Sequence, residues 1–86
     1  MPSYLVEGYL PRSRAAELAD AVARVRSAAR MLSAEGTRVR HVRSSFLPAD
    51  ELYLHVLEAD SPEAAGEAIK RAGIDPERIA ETVPVR

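Results

Sequence analysis

The 86-residue chain has no cysteine, tryptophan, asparagine or glutamine, and a single lysine, Lys70. Without cysteine there is no disulfide framework, no thiolate nucleophile and no cysteine zinc site. Twelve Lys and Arg against thirteen Asp and Glu leave a net charge of −1, so the basic excess that would claim nucleic acid or an anionic membrane is missing. No run approaches the ~20 apolar residues of a membrane span, and Met1-Pro2-Ser3-Tyr4 opens no signal peptide. The expected address is the cytoplasm. A chain this short makes one domain, residues 1–86, which buries only roughly two-thirds of its unfolded surface, so its core is thin and self-association would add to it.

What is present reads as six elements. Tyr4 to Leu10 is rich in aromatic and β-branched residues and stops before Pro11, a first strand. Gly8 inside it marks a bulge or the close approach of a helix. Ser13 is the expected N-cap of a helix whose apolar stripe is Leu18, Val22, Val25, Ala29 and Leu32. Asp20 sits four residues before Arg24 on its polar side, and Gly36 supplies the left-handed stop. A hairpin, Arg38 to Glu58, follows around a Leu-Pro-Ala-Asp turn and carries both histidines. Ser61-Pro62 opens a second helix with Ala65, Ala68, Ile69 and Ala72 inward, Glu67 placed for Arg71, and Gly73 at its end. Gly66 within it suggests close packing. The last strand is expected over Ile79–Val85, with either Ile79, Glu81 and Val83 or Ala80 and Thr82 facing inward.

The order βαββαβ predicts an α+β, ferredoxin-like fold: a four-stranded antiparallel sheet with both helices on one face. Matching hydrophobic sets across the hairpin sends Val42, Phe46, Leu52, Leu54 and Val56 towards the helices. His41, Arg43, Tyr53, His55 and Leu57 then share the uncovered face with Leu5, Tyr9 and Val39. An open face this apolar is usually covered, and a second copy packed sheet to sheet, a dimeric α/β barrel with an internal cleft, is the expected solution. Glu7, Tyr9, Arg43, Tyr53, Leu57 and Glu81 would line that cleft.

Three chemistries fit such a cleft. His41 and His55 with Glu7 or Glu81 could hold a divalent transition metal such as nickel or zinc, since imidazole and carboxylate suit these ions. Glu7 or His55 could serve as a general base if burial moved its pKa towards neutrality, which would make a small cofactor-independent isomerase or oxygenase. Arg38, Arg40 and Arg43 could face RNA, but Glu51 to Val56 lacks the aromatic signature of the third strand in RNA-recognition modules. An acylphosphatase-type site lacks its Asn, a copper-chaperone loop its cysteine pair.

Several stretches also form a collinear pattern. Tyr4-Leu5-Val6-Glu7, Tyr9-Leu10-Pro11, Arg43 to Pro48 with Asp50-Glu51, Glu58-Ala59, Ser61 to Ala64, Arg71 to Ile74 and Arg78-Ile79 resemble a small bacterial family of ferredoxin-like domains of unknown function. That family is similar to an actinobacterial nickel-binding protein. The resemblance implies the ferredoxin-like fold, a homodimer and binding of a nickel-like metal, with Glu7 in the shared segment. It assigns no ligand residue by residue, because His41, Tyr53 and His55 depart from its pattern. The expectation is a homodimeric domain that binds a metal ion or small molecule in its cleft, with no nucleic acid or membrane as partner. A small enzyme is the alternative, and a purely structural interaction module the third reading.

Overall fold

A computed structural model describes residues 1–85 of the chain. Strand β1 (Ser3–Tyr9) leads through a 3-10 turn (Arg12–Glu17) into helix α1 (Leu18–Ala34); strands β2 (Val39–Leu47) and β3 (Leu52–Ala59) form the hairpin; helix α2 (Pro62–Arg71) and strand β4 (Arg78–Thr82) complete the chain. The antiparallel sheet runs in the order β2-β3-β1-β4. This is the ferredoxin-like arrangement the element order predicts.

The local signals act much as their chemistry requires. Ser61 caps α2 by accepting from the Ala64 N–H at 3.1 Å, with Pro62 as the first helical residue. Replacing Ser61 with Ala should cost about 1 kcal/mol of stability, read from the urea midpoint at constant m-value. Gly36 and Gly73 hold φ values of 98° and 74° and end the two helices. Ser13 makes no cap. The stretch before Leu18 buries no residue, so nothing holds it at α-helical pitch and it winds more tightly behind Pro11. Arg24 does not pair with Asp20; its Nε donates to the Ala72 carbonyl at 2.8 Å, satisfying the end of α2. Arg71 bonds Glu67 as expected and Glu35 besides, joining the C-terminal ends of both helices. A side chain at Gly66 would meet nothing within 4 Å, so the close packing suggested by this glycine is absent. Strand β4 is shorter than expected, ending at Thr82 before Pro84, and Ile79 is its inward residue.

The hairpin corrects the sequence reading. Tyr53, His55, Leu57 and Ala59 face the helices, paired on β1 with Gly8, Val6 and Tyr4 and on β2 with Phe46, Ser44, His41 and Val39. Leu52, Leu54 and Val56 look the other way. The helices explain why. Their inner surfaces set Ala28, Ala29, Ala64, Ala65 and Ala68 beside only three larger residues, Val25, Leu32 and Ile69, so much of the remaining bulk of the layer comes from the sheet, in the large-against-small manner of a packed core. A bulge between His41 and Arg43 also breaks the alternation on β2. It places His41 and Ser44, three residues apart, on the same helix-facing side.

Glu51 adopts a left-handed φ of 51° at the end of the hairpin turn. Its carbonyl accepts from the Leu10 N–H at 2.8 Å and its carboxylate from the Arg12 N–H at 2.7 Å. The turn is thereby tied to the segment that leaves β1.

Candidate functional site

The two sheet faces differ in chemistry, and each holds part of the residue set singled out above. On the helix side, four side chains form a hydrogen-bonded row. Arg26 Nε lies 3.3 Å from His41 Nδ1, His41 Nε2 2.8 Å from Ser44 Oγ, and Ser44 Oγ 2.6 Å from His55 Nδ1. A guanidinium only donates, so the direction of the row follows from Arg26. His41 Nδ1 accepts and its Nε2–H donates to Ser44; the Ser44 hydroxyl then donates to His55 Nδ1. Neutral His55 therefore carries its proton on Nε2. His55 is 1% exposed, and this Nε2 is the one buried side-chain polar atom without a hydrogen-bond partner among the described residues.

Burial holds His55 neutral, with the nearby His41 adding to the effect; its pKa falls to about 4. His41 is shifted in the same direction, first by burial and then by Arg26. The Tyr53 ring sits 5.2 Å from that of His55. Burial, reinforced by Asp75 and Glu77, raises its phenol pKa, so it too is neutral. Both rings line a cavity of about 240 Å³ between α1, the 3-10 turn and the loop entering β4. Its charged lining is two arginines, Arg14 and Arg24, and two acids, Glu17 and Asp75. Arg14 is bonded to Glu17 at 2.8 Å.

The open face is arranged as a grid by the strand pairing. One row is Arg40, Glu58, Ser3 and Thr82; the next is Arg43, Val56, Leu5 and Ala80; then Ser45, Leu54, Glu7 and Arg78; the last holds Leu47, Leu52 and Tyr9. Its centre is aliphatic. The Arg40–Glu58 pair stands at its edge, whereas the Arg78–Glu7 pair reaches inward, Glu7 lying beside Leu54 and between Leu5 and Tyr9. Tyr9, 68% exposed, stands over a groove of about 670 Å³ that Glu7, Asp50, Glu77 and Arg78 complete.

The metal set proposed from sequence is thus divided. Ser44 links His41 to His55, but Glu7 lies across the sheet, paired with Arg78. Among the described residues no three His, Cys, Asp or Glu side chains come together as metal ligands. Of the cleft residues, Tyr9 and Arg43 are on the open face as expected. Tyr53 and Leu57 are not: they pack under the helices. Glu81 pairs with Tyr4 on the helix side of β4 and is exposed there. As a base, His55 lacks a free lone pair, because Ser44 occupies Nδ1 and the proton sits on Nε2.

Sequence reasoning passed over Arg26 and Ser44, the residues that give the row its direction. The bulge that aligns Ser44 with His41 leaves no residue-type signature. Comparison with family models, curated proteins and solved structures finds no match for this chain.

Proposed function

We propose that the chain is a ligand-binding domain that works as a homodimer, two open sheet faces packing together around a cleft. The observation that carries this is the outward turn of Leu52, Leu54 and Val56 beside Leu5, an aliphatic patch with the Arg40–Glu58 pair at its edge and Glu7, paired with Arg78, beside Leu54. That is the anatomy of a protein interface, an apolar core inside a polar rim. A second copy removes this surface from water while leaving the Arg40–Glu58 pair hydrated, and Arg78 keeps Glu7 paired where it meets the cleft. The groove beside Tyr9 and Glu7 becomes the cleft. Its volume of about 670 Å³ falls within the range of small-molecule sites, which favours an organic ligand over nickel or zinc.

Light scattering on untagged protein at tens of micromolar should give twice the 9.4 kDa chain mass. Leu54→Arg, a change at a half-exposed position, should yield a folded monomer with an unaltered circular dichroism spectrum. A monomeric wild-type protein would overturn the dimer. Native mass spectrometry then distinguishes the occupants, and a stoichiometric nickel or zinc ion in place of an organic mass would overturn the small-molecule reading.

A further inference from the structure

The cavity beneath α1 opens on the helix side of the sheet and shares only Tyr9 with the groove of the proposed dimer cleft, and it has features the fold alone does not require. We infer that it is a second binding site, one for a small neutral molecule that presents a carbonyl oxygen to His55 Nε2–H and the Tyr53 hydroxyl. A buried N–H with no acceptor carries a substantial desolvation penalty, which a packed core normally avoids by using an apolar side chain instead. Here a row of hydrogen bonds through Ser44 and His41, fixed at its far end by Arg26, keeps the proton on the nitrogen that is left unpaired. The Nδ1 edge of the ring is turned to Ser44 on β2, and His55 is one of the residues that line the cavity. Tyr53, its ring tilted 45° to that of His55, adds a second neutral donor to the same wall.

The charges select the ligand class. Two arginines and two acids around the cavity cancel: Arg14 is paired with Glu17, and the charge of Arg24, whose Nε donates to the Ala72 carbonyl, is offset by Asp75. An anionic ligand would gain at Arg24 and lose at Asp75, with no net attraction from the lining. A cationic ligand would meet two hydrogen-bond donors at the inner wall. A neutral carbonyl compound meets neither conflict. The volume, about 240 Å³, admits a molecule of benzamide size and excludes larger cofactors.

Three probes of one shape test this: benzamide, benzoate and benzylamine, each titrated into the full-length ¹⁵N,¹³C-labelled chain and followed by NMR. Long-range ¹⁵N–¹³C correlations should first show His55 as the Nε2–H tautomer. Benzamide should then shift the His55 ring signals saturably at millimolar concentration, with benzoate and benzylamine at least ten-fold weaker. Tyr53→Phe keeps the ring and should weaken benzamide about five-fold, the effect of one lost hydrogen bond. His55→Leu should abolish the interaction. The Nδ1–H tautomer, equal or tighter binding of benzoate or benzylamine, absence of a saturable benzamide shift, or undiminished binding by Tyr53→Phe would each overturn the assignment. Because Leu54→Arg acts on the other face, failure of this site and failure of the dimer are separable.

Discussion

Gly8→Ala should destabilise the protein by about 2–3 kcal/mol, the scale of overpacking a filled core, and lower its melting temperature by roughly 10–20 °C for a domain of this size. Gly8 pairs with Tyr53 across β1 and β3 on the helix side of the sheet. The Tyr53 phenol ring lies directly over the glycine, and a Cβ built there would stand 2.6 Å from Tyr53 Cζ and 2.7 Å from Cε2. No rotation of the new methyl group relieves such an overlap, and the tyrosine is itself buried between helix and sheet. The close approach suggested by this glycine is real, but its partner is a cross-strand ring and not a helix. Urea denaturation measures the loss, and the double variant Gly8→Ala/Tyr53→Leu identifies its cause. If the ring is responsible, the double variant should lose at least 1 kcal/mol less than the sum of the two single changes, the coupling expected of residues in direct contact.

Acidification from pH 7 to pH 5 should remove about 2 kcal/mol of stability through His55 alone. The sign follows from proton counting. In the unfolded chain the imidazole titrates near 6.5, whereas in the folded protein burial and His41 lower its pKa to about 4. Between these values the unfolded state binds a proton that the folded state refuses, so stability is complete above pH 6.5 and declines as pH falls towards 4. His41, also shifted downwards, acts in the same sense. The carboxylates Glu17, Glu35 and Asp60, whose pKa values are lowered by bonds to Arg14, Arg71 and Arg38, contribute at lower pH, so the interval from 7 to 5 isolates the histidines. Urea midpoints across that interval should slope steeply in the wild-type protein and be flatter by the His55 share in His55→Leu. A parallel slope in the variant would mean that His55 is charged in the folded state, and the direction of the Arg26–His41–Ser44–His55 row would then be wrong.

Much of the architecture is legible residue by residue because its causes are local. The Ser61 cap, the left-handed glycines at positions 36 and 73, and the periodic stripes of the helices depend on neighbours a few residues away. So does the order of elements, which leaves the ferredoxin-like sheet as its simplest closure. The candidate site is another matter. Tyr53, His55 and Leu57 alternate with Leu52, Leu54 and Val56, two sets of comparable apolar content, and hydropathy alone favours burying the second.

The faces of β3 were decided by packing between distant elements. The alanines beside Val25, Leu32 and Ile69 on the helices leave space for rings and large aliphatic side chains from the sheet, Gly8 accepts Tyr53 where a methyl group could not, and the bulge at Val42 turns His41 and Ser44 to one side. Local sequence by itself determined the order of strands and helices, the Ser61 cap of α2 and the glycine stops of both helices, since those choices rest on backbone geometry within one turn, but not the start of α1, where Ser13 makes no cap. Only the tertiary structure decided that His55 is buried neutral beneath α1 while the leucines of the same strand face outward. Which side of a strand is inside depends on the volume its partners leave.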